Sequence, residues 1–367
     1  MRIFETFHLG RHFDSRYQSS GPACASDGVR DCRPAGRPAR PHAGEEVFEE
    51  TLLGIYKPRL TGRDMARKEP LGILIAIGNQ KGGVGKTTNT VHIAAALGQR
   101  GYRCLIVDLD PAAGATRHLG VPENSFSGSL ELLTTEETVE SLAITEKMPK
   151  GVHLIPSRPQ LSELDKQLSK FVDRTKVLDE PLALARQRYD FILLDTSPSA
   201  AATTTVAAYS TAEWFLLSAF PHPLSLGGLT EAFNDIADVR KHRNPMLEVL
   251  GVVFTNVDGR ATRLRAQLEE VVNQALPRRR FETSISQAIL IPDVSGRGKT
   301  LFQLSRFSKI PVAIQYLRLA AEIEHRVLNR EAFIQGRLAP VDFAAVEDLP
   351  AEELEAEVQD LPHVINE

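Results

Sequence analysis

Gln80-Lys81-Gly82-Gly83-Val84-Gly85-Lys86-Thr87-Thr88 links an apolar run, Leu71-Gly72-Ile73-Leu74-Ile75-Ala76-Ile77, to a stretch patterned for a helix, Asn89 to Gln99. The run reads as a buried strand, and Val91, Ile93, Ala94, Ala95 and Leu97 give the following helix a face to pack on a sheet. Strand, glycine-rich turn, helix is the setting a phosphate-binding loop requires. Glycines let successive backbone N–H groups converge on one point, and the helix adds its positive end there. Lys86 has the reach for a β/γ-phosphate, and the Thr87 hydroxyl suits Mg²⁺. A plain αβ turn that happens to be glycine-rich is the competing reading. The Gly-Lys-Thr order and both flanking elements weigh against it.

Outward from this loop, strands and helices alternate, the pattern of an α/β fold: a mostly parallel, twisted sheet with helices on both faces. Cys104-Leu105-Ile106-Val107 reads as the second strand and runs into Asp108-Leu109-Asp110-Pro111. Ligands of such sheets bind beyond the carboxyl ends of the strands, so both aspartates are expected to project toward the phosphate loop. Helices are expected at Ser129–Leu133, Leu161–Phe171, Leu178–Arg188, Leu226–Val239, Arg263–Ala275 and Val312–Leu328. Further strands are expected at Val152–Pro156, Trp214–Ser218 and Val249–Phe254. Tyr189-Asp190-Phe191-Ile192-Leu193-Leu194-Asp195 is four apolar residues ending in a carboxylate, the form of a strand whose tip aspartate holds Mg²⁺ or its water.

The chain has 367 residues, a globular apolar fraction and a net charge of -4. Nucleic-acid contact would therefore depend on a local cationic patch. No run approaches the ~18 uninterrupted apolar residues of a membrane span. Three cysteines, Cys24, Cys32 and Cys104, make no disulfide framework, and Cys104 sits in an apolar strand. With no signal-peptide core at the start, a reduced cytoplasm is expected. Three regions follow. Residues 1–70 contain the Pro/Arg/Gly-rich Arg33–Pro41 and read as a disordered or weakly structured arm. Residues 71–330 are expected to form the α/β domain that carries the phosphate loop. Residues 331–367 read as an acidic, disordered tail.

The loop also departs from G-x-x-x-x-G-K-[ST]: Gln80 stands where glycine is usual, and a second lysine, Lys81, precedes Gly82. The form K-G-G-x-G-K-T-T resembles the deviant Walker A loop of the ParA/Soj/MinD ATPases, closest to the ParA partition proteins. The resemblance covers about residues 72–328 in several ordered pieces: Lys81–Thr88, Asp108–Thr116, Phe191–Pro198, Pro223–Leu229, Phe254–Arg260 and Gly298-Lys299. It implies ATP and Mg²⁺ as ligands, with nucleotide contacts from Lys81, Gly82, Gly83, Val84, Gly85, Lys86, Thr87 and Thr88. Lys81 would reach the nucleotide of a second subunit in an ATP-dependent homodimer. Asp110 matches the aspartate acting on the attacking water, and Asp108 and Asp195 match the carboxylates on the Mg²⁺ side with Thr87. The resemblance further implies non-specific duplex-DNA binding, a ParB-like partner, and a nucleoid-associated cytoplasmic role in plasmid or chromosome partition.

Arg260 matches a DNA-contacting arginine of that family, and Arg263, Arg297 and Lys299 add charge nearby in sequence. Solvated helix faces are an equally good reading of each of these. The family writes D-P-Q-G-N after its second strand, where this chain has Asp110-Pro111-Ala112-Ala113-Gly114. Gly296-Arg297-Gly298-Lys299-Thr300 lacks a strand–helix setting and reads as a mobile glycine loop near the dimer face. A MinD-like ATPase acting at a membrane or on a protein cargo is the alternative. The acidic tail lacks the basic amphipathic helix that membrane attachment needs. A metabolic relative, an iron protein or an amidotransferase-linked synthase, is the third; cluster chemistry lacks its cysteines.

Overall fold

A computed structural model describes residues 72–122, 125–168, 173–221, 225–260, 262–341 and 343. The expected arm, residues 1–70, and the tail beyond Phe343 lie outside the described residues. In chain order the elements are β1 (Ile73–Gly78), α1 (Lys86–Gln99), β2 (Cys104–Asp108), α2 (Gly114–His118), α3 (Ser129–Thr134), α4 (Val139–Leu142), β3 (Val152–Ile155), α5 (Leu164–Gln167) and α6 (Asp179–Ala185). There follow β4 (Phe191–Asp195), α7 (Thr203–Thr211), β5 (Trp214–Ala219), α8 (Ser225–His242), β6 (Glu248–Phe254), α9 (Thr262–Ala275), α10 (Leu290–Gly296), α11 (Pro311–Leu328) and α12 (Arg330–Ile334).

The strands form one six-stranded sheet in the order β3-β2-β4-β1-β5-β6, every pair parallel. β1 lies between β4 and β5, and β2 lies on the far side of β4. The carboxyl ends of β1, β2 and β4 therefore meet at one place, with Ile77 paired to Asp195 and Asp195 to Asp108. The strands are apolar throughout because helices cover both faces. On one face Ile75, Ile77, Ile106 and Leu193 pack with Val91, Ile93 and Leu97 of α1 and Leu319 and Ile323 of α11. On the other, Leu74, Leu105, Ile192 and Leu194 pack with Leu182 of α6, Ala207 of α7 and Ile236 of α8.

α11 lies alongside α1 in the same direction. Tyr316 donates to Asn89 Oδ1 at 3.0 Å near their starts, and Glu324 pairs with Arg100 at the other end. Between them His92 stacks on Tyr316 at 4.8 Å and meets His118 edge-on at 5.2 Å. His92 Nδ1 lies 2.9 Å from the Thr88 carbonyl, and its Nε2 receives the Leu301 N–H at 3.4 Å. These contacts require a neutral ring protonated on Nδ1.

Several expectations need correction. The helix expected over Leu161–Phe171 is a 3₁₀ turn, Pro159–Glu163, followed by the single turn of α5. Pro159 opens the tighter turn, and among the described residues of the stretch only Leu161, Leu164 and Leu168 reach the core. α7 went unseen because Thr203-Thr204-Thr205 obscures helical periodicity. The packed chain also runs past residue 330. α12 buries Phe333, which stacks under Arg279 at 4.2 Å, and Leu338 and Phe343 pack on the α1/α11 face. Finally, Arg297-Gly298-Lys299-Thr300 is not a free loop. It ends α10, Gly298 (φ +68°) abuts the backbone of Gly120, and buried Thr300 caps the next turn with Gln303.

Burial lowers the pKa of His92 to about 3 and of His118 to about 4. A histidine whose native pKa is depressed takes up its proton first in the unfolded chain, so native stability falls as pH drops below about 6.5. Each contributes about 1.4 kcal/mol per pH unit between 6.5 and its native value. Buried carboxylates titrate in the same range, so the difference between variants isolates the histidines. Urea unfolding of His118→Gln against wild type from pH 7 to pH 4.5 should show a shallower acid slope, by about one proton. Identical slopes would mean that the ring is protonated in the folded protein.

Candidate functional site

The loop after β1 is held from outside before any ligand binds. Asn79 Oδ1 accepts the Lys81 N–H at 2.9 Å, while Asn79 Nδ2 donates to the Ser218 carbonyl at 2.8 Å. Ser218 Oγ (2.6 Å) and Thr255 Oγ1 (3.0 Å) both donate to the Val84 carbonyl. Gly83 (φ +74°) and Gly85 (φ +82°) take left-handed backbone, which glycine adopts without strain. A side chain at Gly85 would also crowd Thr255, 3.0 Å from the would-be Cβ. Gly85 then starts α1 with no side-chain cap, leaving the first-turn N–H groups to an anion.

Lys86 is 7 % exposed, and its ammonium donates to the Lys81 carbonyl at 3.3 Å. Burial lowers its pKa, and the charges of Asp195 and Asp110 oppose that effect. The Thr87 hydroxyl donates to Asp195 Oδ2 at 2.8 Å, and Thr90 donates to Asp195 Oδ1 at 3.0 Å. These two bonds tie the tip of β4 to the start of α1. Asp108 lies beside Asp195 in the sheet register, and both are fully buried. Burial raises both pKa values, and for Asp195 the Asp108 charge adds to the effect. Two adjacent buried carboxylates favour a nearby cation, which is the physical argument that this site fits Mg²⁺. Among the described residues no three His, Cys, Asp or Glu side chains gather as a metal cage. Such a site suits Mg²⁺ held by one hydroxyl, water and phosphate oxygens.

Asp108 is engaged by the turn that follows it. Its oxygens accept the Thr116 N–H at 2.9 Å, the Thr116 hydroxyl at 2.7 Å and the Asp110 N–H at 3.2 Å. These bonds tie Asp108 to the turn that carries Asp110. Asp110 is half-buried; its Oδ1 accepts the Ala112 N–H at 2.9 Å, and its carbonyl accepts from Ser157. Ala113 takes φ +52°, and Gly114 approaches Thr87 so closely that a Cβ there would sit 3.0 Å from Thr87 Oγ1. The Lys81 ammonium has no ion-pair partner among the described residues.

Gly82, Gly83, Val84, Gly85, Lys86, Thr87, Thr88, Asp108, Asp110 and Asp195 thus converge at one end of the sheet. The four cationic candidates fall into two groups. Arg260 and Arg263 are exposed beyond β6, and Arg260 forks onto Asp258 at 2.9–3.2 Å. Arg297 and Lys299 are exposed at the end of α10 beside Gly120, Arg297 paired with Asp293 at 3.0 Å. Asn79, Asn89, Ser218, Thr255 and Thr116 were missed. Each is a lone polar residue at the end of an apolar run or inside a helix, with no local signal.

The AAA domain family model matches residues 72–249. The chain is 36% identical to the chromosome-partitioning ATPase Soj of Thermus thermophilus over 253 residues, 69% of this chain and 96% of that protein. It is 31% identical to the chromosome partitioning protein ParA of Caulobacter vibrioides over 266 residues, 72% of this chain and 97% of that one. Among solved structures, cobyrinic acid a,c-diamide synthase from Mycobacterium smegmatis, with bound ATP analogue and magnesium, superimposes with a TM-score of 0.59. That pair is 26% identical and covers 74% of this chain and 100% of the other.

Left-handed Ala113 costs roughly 1 kcal/mol that glycine would not. Ala113→Gly should raise stability by about 0.5–1 kcal/mol, read as the denaturant midpoint. Gly114→Ala should instead push Thr87 away from Asp195 and weaken magnesium-dependent nucleotide binding by tenfold or more, read by calorimetry with and without Mg²⁺. Unchanged affinity would mean that Thr87 does not hold the ion.

Proposed function

The chain belongs to the ParA/Soj family of deviant Walker A ATPases, and from that premise we propose that it is a partition-type ATPase. In this reading it binds ATP with Mg²⁺, dimerises and grips duplex DNA without sequence preference. The observation that carries the reading is the Thr87–Asp195–Thr90 tie beneath a loop whose N–H groups and Lys86 converge on one anion-sized point.

The backbone of Gly82–Thr88 cradles the phosphates, and Lys86 neutralises β/γ charge as the leaving oxygen develops it. Thr87 and Asp195 are the residues that would hold Mg²⁺, which would supply charge neutralisation on the phosphate oxygens. Asp110 orients a water in line with the γ-phosphorus. The water oxygen forms the new P–O bond as the bond to ADP breaks, and the water's proton passes to the phosphate that is released. Asp108 keeps Asp110 in place. Lys81, unpaired within the subunit, contacts the nucleotide of a second copy. Closure of the dimer aligns Arg260, Arg263, Arg297 and Lys299 on DNA phosphates. A ParB-like partner stimulates slow hydrolysis, which opens the dimer and frees the DNA. The chain would then work on the nucleoid.

The deciding measurement is retention of random-sequence duplex DNA with ATP, ADP or no nucleotide across a salt series, with anionic liposomes run in parallel. Retention with ATP alone, falling steeply with salt, is expected. Liposome binding without DNA binding would favour the membrane-positioning alternative. Lys86→Ala should abolish nucleotide binding. Asp110→Ala should bind ATP, fail to hydrolyse it and stay dimeric on DNA; normal turnover would remove Asp110 from its role. Because Asp258 occupies the Arg260 guanidinium, Asp258→Asn should tighten DNA binding severalfold if Arg260 contacts phosphate.

A further inference from the structure

From Val294 to Ala321 the chain carries Arg297, Lys299, Arg306, Lys309 and Arg318 and no carboxylate. Arg297, Lys299, Arg306 and Lys309 are exposed. Lys299, Arg306 and Lys309 have no ion-pair partner among the described residues. Arg306 sits at φ +58° at the head of the turn Phe307–Lys309, which leads directly into α11. Arg318 has a buried Nε without a hydrogen-bond partner. A folded surface usually intersperses both signs of charge. This strip does not.

The described end of the chain runs toward it. The Ala339 carbonyl lies 3.1 Å from His325 Nε2, and the Phe343 ring lies 5.7 Å from the Arg318 guanidinium. Ala339 and Phe343 thus meet residues two turns apart on α11, the later of the two nearer that helix's start. Beyond Phe343 stand Glu347, Asp348, Glu352, Glu353, Glu355, Glu357, Asp360 and Glu367, with no lysine or arginine. From Arg318 to Lys309 is about 15 Å along the helix and its leading turn. The 24 residues after Phe343 can span up to about 80 Å. Tethering gives the segment an effective concentration of about millimolar.

We propose that the acidic C-terminal segment, residues 344–367, docks on the cationic strip Lys299–Arg318 and competes there with nucleic acid. The competition rests on the DNA-binding reading above; the docking does not. Charge complementarity and the direction of residues 339–343 select this segment over an outside partner. Dimerisation or DNA then displaces a tethered polyanion, and binding becomes less favourable at low salt than the exposed cations alone would make it.

The test uses the full chain with the tail neutralised: Glu347→Gln, Asp348→Asn, Glu352→Gln, Glu353→Gln, Glu355→Gln, Glu357→Gln, Asp360→Asn and Glu367→Gln. A synthetic peptide of residues 344–367 should bind this variant at low salt. Adding Arg306→Ser and Lys309→Ser should weaken the peptide by about tenfold. With ATP, the neutralised chain should bind duplex DNA about tenfold tighter than wild type at 50 mM salt, the gap closing by 500 mM. A peptide that does not bind, or binds regardless of Arg306 and Lys309, overturns the docking, even if neutralisation still tightens DNA binding through net charge. A peptide that binds as expected while neither chain holds DNA supports the docking and removes the DNA-binding reading instead.

Discussion

Two hydroxyls on one carboxylate hold this architecture to its task. Asp195 lies at the tip of the strand next to β1, wholly out of water, and receives Thr87 and Thr90 from the first turn of α1. An unpaired carboxylate at that depth would cost several kcal/mol. The helix can therefore neither rotate nor slide without stranding the charge. The strand order that puts β4 between β1 and β2 makes this contact possible and sets Asp108 alongside. The phosphate loop has its shape because the elements on either side of it are locked to each other.

Around that lock the polar residues form layers. Lys86 and Thr87 stand at the start of α1, with the Lys86 ammonium on the Lys81 carbonyl and the Thr87 hydroxyl on Asp195. Asp108, Thr116 and Ser157 hold the Asp110 turn, and Asn79, Ser218 and Thr255 hold the loop from the β5 and β6 side. The Asp110 turn and the loop's supports are fixed by hydrogen bonds within the chain, which is preorganisation in the physical sense: little in them is left to order when charge arrives. The exception is the αL residue Ala113, which keeps strain next to Thr87.

What could be read from the sequence follows from how local each signal is. The loop, its strand and its helix were legible because glycines, Lys86 and the apolar runs are contiguous. Asp195 was legible because four buried residues precede it. The parallel sheet followed from the alternation of elements. The support residues were not legible, because Ser218 and Asn89 meet across 129 residues, and no local pattern marks a lone serine in a strand. The helix expected at Leu161–Phe171 failed because apolar spacing there fits a 3₁₀ turn and a single α turn equally well. Gly296–Thr300 reads in sequence as a mobile glycine loop, whereas Gly298 is there to let two backbones touch.

Tyr316 hydrogen-bonds Asn89, Asn89 bonds Ser218, and Ser218 bonds the Val84 carbonyl. The chemistry assembled near the start of the domain thus leans on a tyrosine far toward its other end. During synthesis the ribosome must release the chain through that tyrosine before the phosphate loop has its full bracing. A frameshift or protease cut ahead of α11 would leave the signature loop intact but without this brace.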